Sequence, residues 1–167
     1  DFVVATAGPD LESVLSAKGA GADAFSEEHR QAVANIDIGG GTSNIALFQK
    51  GNLKGTSCLD IGGRLIKIEN GRISYIFPKI QKLAEAHGIH IAVGDRAEET
   101  VLYKICEYMA DQLAMAIHAR EADSLHAGLY TNDGKPLTSE PKIDAITYSG
   151  GVASCYYNGE PANVFEY

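Results

Sequence analysis

Asp37 is followed, after Ile38, by three consecutive glycines, Gly39, Gly40 and Gly41, and then by the hydroxyls of Thr42 and Ser43, all within ANIDIGGGTSNIALFQK from Ala34 to Lys50. Carboxylate, glycine turn and hydroxyl in this order describe a site for a magnesium-bound phosphate. Consecutive glycines let a backbone adopt φ/ψ values closed to other residues, or approach a neighbour more closely than a Cβ permits. N–H groups freed in such a turn can form an anion-binding nest. A carboxylate just ahead of it can hold Mg2+ through water, because this ion prefers oxygen ligands and keeps much of its hydration shell. Asp37 is therefore the candidate catalytic and metal residue, and Gly39, Gly40, Gly41 and Thr42 are the candidate phosphate contacts. The same spacing also describes a glycine-rich hairpin whose Asp37 is merely solvated.

The elements that must position these groups follow from periodicity. Ile36–Ile38 and Ile45–Phe48 are short, apolar and contain β-branched residues, which predicts a strand, a glycine turn and a return strand. Gly51 and Asn52 make the next turn, and Leu53–Ile61 supplies a third strand. Asp60–Arg64, DIGGR, is a second glycine-rich turn, in which Gly62 and Gly63 read as turn formers and Arg64 as a surface cation or a salt bridge across a cleft. Leu65–Phe77 alternates around Asn70-Gly71, the pair favoured by a type I′ turn, and predicts a hairpin. Pro78 opens a helix over Lys79–His87 with Ile80, Leu83 and Ala84 on one face, and Ile89–Val93 is a brief strand or extended link. Ala97–Arg120 carries Leu102, Ile105, Met109, Leu113 and Ala116 at spacings of three and four, as a helix packed on a sheet requires, with Asp95 as its cap. Glu121–Pro141 reads as loop, with a turn at Asn132–Gly134 and a short 3₁₀ or strand segment near Leu129 and Tyr130. Ile143–Tyr148 is again a strand and runs into Ser149-Gly150-Gly151-Val152.

Ahead of the glycine motif, Phe2–Ala7 is β-prone from the first residues and there is no initiator Met, which predicts a domain excised from a longer protein. Pro9 starts a short helix with Leu11, Val14 and Leu15 as its apolar stripe and Lys18-Gly19 as its end. GAGADAFSEEHRQ reads as loop with a helical turn over Ser26–Arg30.

DIGGGTSNIALF resembles the second phosphate motif of the actin, sugar kinase and Hsp70 ATPase superfamily. No Lys follows the glycines, as a P-loop needs, and no helix pattern follows, as a dinucleotide fingerprint needs. The wider set FVVATAGPDLESVL, KGAGA, VANIDIGGGTSNIALF and CLDIGGRLIKI resembles the reactivating factors of ethanolamine ammonia-lyase, a bacterial adenosylcobalamin enzyme. The resemblance implies an α/β fold, a ribonuclease H-like (actin-like ATPase) domain with a mixed sheet and helices packed on it. It divides the chain into 1–33, a connecting strand, helix and loop, and 34–167, part of a second ATPase domain with a hairpin and helix elaboration at about 65–94. It places Gly39–Thr42 at the phosphates and Gly150 and Gly151 at the adenosine of ATP, with Mg2+ as the accompanying ion.

No second DxGxxT segment exists in the chain, so the resemblance implies half of an ATP site, completed by a missing first domain on the Pro9–Gly19 side. The implied function is a fragment of an ATP-dependent chaperone that exchanges damaged for intact adenosylcobalamin, with ethanolamine ammonia-lyase as partner. The alternatives are a domain of a related small-metabolite kinase and a degenerate interaction domain that has lost nucleotide.

Bulk properties bound these readings. The 167 residues suffice for one domain of ordinary size. With 22 Asp and Glu against 14 scattered Lys and Arg, neither nucleic acid nor a membrane surface is an expected partner. No long apolar run or signal peptide pattern appears, which predicts a cytoplasmic protein; the resemblance adds association with a bacterial microcompartment, for which no targeting tail is recognisable. Cys58, Cys106 and Cys155 are far apart and predict reduced thiols. His29, His87, His90, His118 and His126 lack metal-ligand spacing and read as surface or capping residues. No hydrolase nucleophile with an assignable base is present.

Overall fold

The computed structural model describes residues 8–158, so the expected Phe2–Ala7 strand lies outside the described residues. In chain order the elements are α1 (Pro9–Gly19), α2 (Ala22–His29), β1 (Ala32–Ile38), β2 (Ser43–Gln49), β3 (Asn52–Leu59), β4 (Ile66–Glu69), β5 (Arg72–Ile76), α3 (Pro78–Ala86), α4 (Glu99–Ala116), a 3₁₀ turn (His126–Leu129), β6 (Ala145–Ser149) and α5 (Gly150–Asn158). The main sheet has the order β3-β2-β1-β6, an antiparallel meander with β6 added parallel to β1. A parallel neighbour needs a crossover, and everything between β3 and β6 forms that connection. The α/β class with a mixed sheet and helices packed on it is thus borne out.

Both faces of the sheet are covered. Cross-strand partners share a face, so Val33 and Phe48 lie together and meet Ala17 of α1 and Ala22 of α2. On the other face Ala34, Ile36, Ile45, Leu47 and Leu59 pack against Leu113, Ala116 and Ile117 at the C-terminal end of α4 and its exit. A second core joins Ile73 and Ile76 of the hairpin, Ile80, Leu83 and Ala84 of α3, and Ile105 nearer the start of α4. One long helix therefore holds the hairpin elaboration to the sheet, with Met109 packed against both cores.

Several expectations hold. The β4–β5 turn has Asn70 and Gly71 both at positive φ, as a type I′ turn requires, and Ile80, Leu83 and Ala84 are the buried face of α3. Others are corrected. The stretch after Gly21 is a full helix, α2, where a loop with one turn was expected; its C-cap Arg30 takes the left-handed conformation without a glycine. Among the described side chains of α1 the buried ones are Ser13 and Ala17, while Leu11 and Leu15 are more than half exposed. Small residues face the sheet there because α1 lies close to it.

The β2–β3 turn is made by Lys50 and Gly51, both at positive φ, one residue earlier than expected. Of the two readings of Ile89–Val93, brief strand or extended link, the structure has no strand there and leaves the link. Asp95 does not cap α4: its carboxylate accepts from the Ala92 N–H at 2.8 Å, and its carbonyl accepts from Ile73 N–H. The segment before Glu98 is tied to the hairpin, so α4 starts later than periodicity alone predicts. It ends earlier as well, because His118 adopts φ 58° and Ala119 N–H returns to Ala114 O in a Schellman closure.

Candidate functional site

The C-terminal ends of the parallel strands β1 and β6 lie side by side, and each runs directly into a glycine turn. Asp37 is opposite Ser149 in this register. The Ser149 hydroxyl donates to Asp37 Oδ2 at 2.8 Å, the Asn35 amide donates to Ser149 Oγ at 3.0 Å, and the Thr147 hydroxyl donates to Asn35 Oδ1 at 2.9 Å. This chain of donors runs across two strands and ends on the carboxylate. Each bond in it polarises the next. Asn35 is fully buried and Asp37 half-buried, so the network anchors the carboxylate from below and leaves its outer side toward the turns.

The glycine motif forms a tight connection closed by Gly39 N–H to Thr42 O at 2.9 Å. None of Gly39, Gly40 and Gly41 is in the left-handed region, so backbone conformation is not what demands glycine here. Close approach explains part of it. The DIGGR turn stacks on the motif: Gly63 N–H donates to Gly39 O at 2.9 Å and Arg64 N–H to Gly40 O at 2.7 Å. A Cβ on Gly62 would lie 2.5 Å from Gly40 O and 2.7 Å from Gly41 C. Gly62 and Gly63 thus serve as turn formers that buttress the first glycine turn. Arg64 is exposed, with its aliphatic stem beside Gly40. A Cβ on Gly41 would meet nothing within 4 Å, and Gly40 and Gly41 are both exposed, so this backbone is open to an approaching group.

As expected, β6 runs straight into Gly150 and Gly151, which form the first turn of α5. Gly150 has φ 88°, and a Cβ there would lie 2.5 Å from Ile38 O and 2.8 Å from Asp37 Oδ1. Its glycine identity is therefore required by packing on the end of β1. A Cβ on Gly63 would also meet Val152 Cγ2 at 2.6 Å, which brings the third glycine turn against the other two.

Every candidate residue, Asp37, Gly39, Gly40, Gly41, Thr42, Gly150 and Gly151, thus belongs to one end of the sheet. Sequence reading missed Asn35, Thr147 and Ser149. The sequence signal for them is a run of polar residues at every second position of otherwise apolar strands, Asn35 and Asp37 in one, Thr147 and Ser149 in the other.

The histidines divide otherwise than expected, because His126 is buried. Gln112 Nε2 donates to Asp123 Oδ2 at 2.7 Å, which turns Gln112 Oε1 toward His126 Nδ1 at 2.9 Å, and Tyr130 OH lies 2.9 Å from His126 Nε2. Nδ1 therefore carries the proton and Nε2 accepts from the phenol. Burial pushes the imidazole below its ordinary pKa, against the opposing pull of Asp123. This network fastens the loop after α4 to the helix. Among the described residues no cluster of His, Cys, Asp and Glu could hold a metal by itself, no helix is long and apolar enough to cross a membrane, and the three cysteines are free.

Comparison with known proteins places this geometry in context. Ethanolamine ammonia-lyase reactivase EutA of Salmonella typhimurium is 40% identical over 166 residues, covering 99% of this chain and 35% of its own length. The reactivase of the same name from Escherichia coli is 39% identical over 169 residues, again with 99% and 35% coverage. The chain thus spans about a third of the length of these curated relatives. Among solved structures, an Aquifex aeolicus Ppx/GppA phosphatase aligns with TM-score 0.42 and 17% identity, covering 92% of this chain and 37% of that one. MreB 5 of Spiroplasma citri bound to AMPPNP aligns with TM-score 0.39 and 18% identity, covering 85% and 47%. The profile of the family described as ethanolamine utilisation protein EutA matches residues 1–167, the whole chain, and the chain belongs to that family.

Proposed function

We propose that this chain supplies one side of a Mg-ATP site to a reactivating chaperone of ethanolamine ammonia-lyase, which exchanges damaged for intact adenosylcobalamin. The observation that carries this reading is the convergence of Asp37 with three glycine turns at the end of the β1–β6 pair. The groups present fit a hydrated cation and a phosphate: a half-buried carboxylate with one oxygen fixed by Ser149, and an exposed backbone at Gly40 and Gly41 with no Cβ in the way.

In this reading Asp37 holds Mg2+ through water, the backbone of Gly39–Thr42 faces the phosphates, and Gly150 and Gly151 lie toward the adenosine. The ion, when bound, offsets phosphate charge. The chain's own contribution is positional. Ser149, Asn35 and Thr147 set the rotation of the carboxylate, and Gly62–Gly63 fix the phosphate turn from behind. Phosphoryl transfer depends on positioning from all sides. With one copy of the DxGxxT segment, the chain alone binds nucleotide weakly and hydrolyses scarcely any. A further domain closes the cleft on the side of α1, where Leu11 and Leu15 are exposed. Closure about the nucleotide then changes the grip on the lyase. The relatives' names favour this reading over a metabolite kinase. The family's name also favours a setting within ethanolamine utilisation.

Calorimetric titration of Mg-ATP into the full-length protein that carries this sequence, with Asp37→Ala as control, tests the proposal. Binding that weakens at least tenfold in the variant is expected, with little heat from residues 1–167 alone. An intact, folded protein that binds no nucleotide would overturn the reading in favour of an interaction domain whose glycine turns are purely structural.

A further inference from the structure

Asn44 stands opposite Asp37 in the β1–β2 register and so shares its face of the sheet, at the same end as the glycine turns. Its side-chain Oδ1 is buried and has no hydrogen-bond partner among the described residues. A buried amide carbonyl without a donor destabilises a fold and calls for an explanation. Ser149, on the same face beyond Asp37, already gives its proton to Asp37. Two other buried oxygens lack partners, those of Ser57 and Ser74, but Ser57 pairs with Ile45 on the opposite, apolar face and Ser74 belongs to the hairpin. Asn44 alone of the three sits beside a carboxylate at the candidate site.

We propose that Asn44 accepts a hydrogen bond from a water in the hydration shell of the divalent cation that Asp37 holds, and is thereby a positioning residue for the Mg-nucleotide. The inference rests on the nucleotide reading and deepens it. A magnesium ion that keeps its waters presents strong donors on every side. A neutral amide oxygen next to the anchoring carboxylate can fix one of them without adding charge, and outer-shell partners of this kind tune metal affinity.

The test uses the full-length protein, with Asn44→Leu and Asn44→Asp beside wild type and Asp37→Ala, and follows ATP binding by calorimetry across a Mg2+ titration and in EDTA. Asn44→Leu removes the orphan carbonyl, so the ligand-free protein is expected to melt at a higher temperature. Its Mg2+-dependent ATP affinity is expected to fall about tenfold, with binding in EDTA unchanged. Asn44→Asp, which keeps the acceptor, is expected to retain the Mg2+ dependence. Should the leucine variant not fold, Asn44→Ser, too short to reach the same water, takes its place with the same expectation. Wild-type affinity and Mg2+ dependence in Asn44→Leu, alongside weakened binding in Asp37→Ala, would overturn this inference and leave the nucleotide reading standing. Loss of Mg2+-dependent binding in Asn44→Asp equal to that in the leucine variant would overturn it too. Absence of nucleotide binding in wild type overturns both.

Discussion

The hydroxyl of Ser149 donates to Asp37 Oδ2 at 2.8 Å across 112 residues of sequence. The bond closes the parallel register of β6 on β1 and fixes the one carboxylate of the glycine motif. Ser149→Ala leaves the Asn35 amide without its acceptor and frees the carboxylate to rotate. A destabilisation of about 1 kcal/mol is expected, with a fall in Mg-ATP affinity of about tenfold in the full-length protein. Urea unfolding and calorimetry check the two parts. Ser149→Thr, which keeps the hydroxyl, is expected to recover most of the binding.

Two glycine substitutions separate crowding from backbone strain. Gly62→Ala drives a methyl to 2.5 Å from the Gly40 carbonyl, and both partners are backbone, so the glycine turns must part. A loss of about 2–3 kcal/mol is expected from such overpacking. Gly71→Ala, at φ 72° with nothing within 4 Å, bears only the left-handed backbone penalty of about 1 kcal/mol. Comparison of the two denaturation midpoints tests this ranking; equal losses would contradict the stacked-turn geometry.

Gly150→Ala combines both effects at the site itself. Its methyl would fall 2.5 Å from Ile38 O and 2.8 Å from Asp37 Oδ1, at a residue with φ 88°. The variant is expected to be less stable than Gly71→Ala by about 1–3 kcal/mol, and to lose nucleotide affinity together with stability because α5 and Asp37 are displaced. A variant that keeps its wild-type melting temperature would refute the close packing of α5 on β1.

His126 makes stability depend on pH. Burial holds its imidazole below the ordinary value of 6.5, so between the folded and unfolded pKa values the unfolded chain binds more protons. Its contribution is therefore complete above about pH 6.5 and is lost as pH falls through the lowered value of the folded state. Equilibrium unfolding between about pH 5 and 7 is expected to show stability rising with pH. His126→Asn is expected to flatten that slope while lowering stability at neutral pH, since Gln112 and Tyr130 lose their partner.

Much of this molecule is decided locally. Ile36–Ile38 and Ile45–Phe48 cannot be helices, Asn70-Gly71 dictates its turn, and Pro78 with the spacing of Ile80, Leu83 and Ala84 dictates α3. The glycine motif and Asp37 were legible for the same reason, because their significance lies in adjacent residues. Helix boundaries were not. Asp95 resembles a cap in sequence but spends its carboxylate on Ala92 and its carbonyl on the hairpin. Leu11 and Leu15 resemble a core stripe, yet the smaller Ser13 and Ala17 are what fit against the sheet.

Only the tertiary structure could join Asn35 and Asp37 to Thr147 and Ser149, because a parallel register between strands so far apart is set by the packing of everything between them. The same holds for the third role of glycine here. In sequence Gly62 and Gly150 are turn residues; in space their missing Cβ atoms are what allow three turns to meet at one carboxylate. Residue type and local spacing mark Asp37 and the glycines as candidates, and long-range register is what brings them together with Ser149 and Asn35.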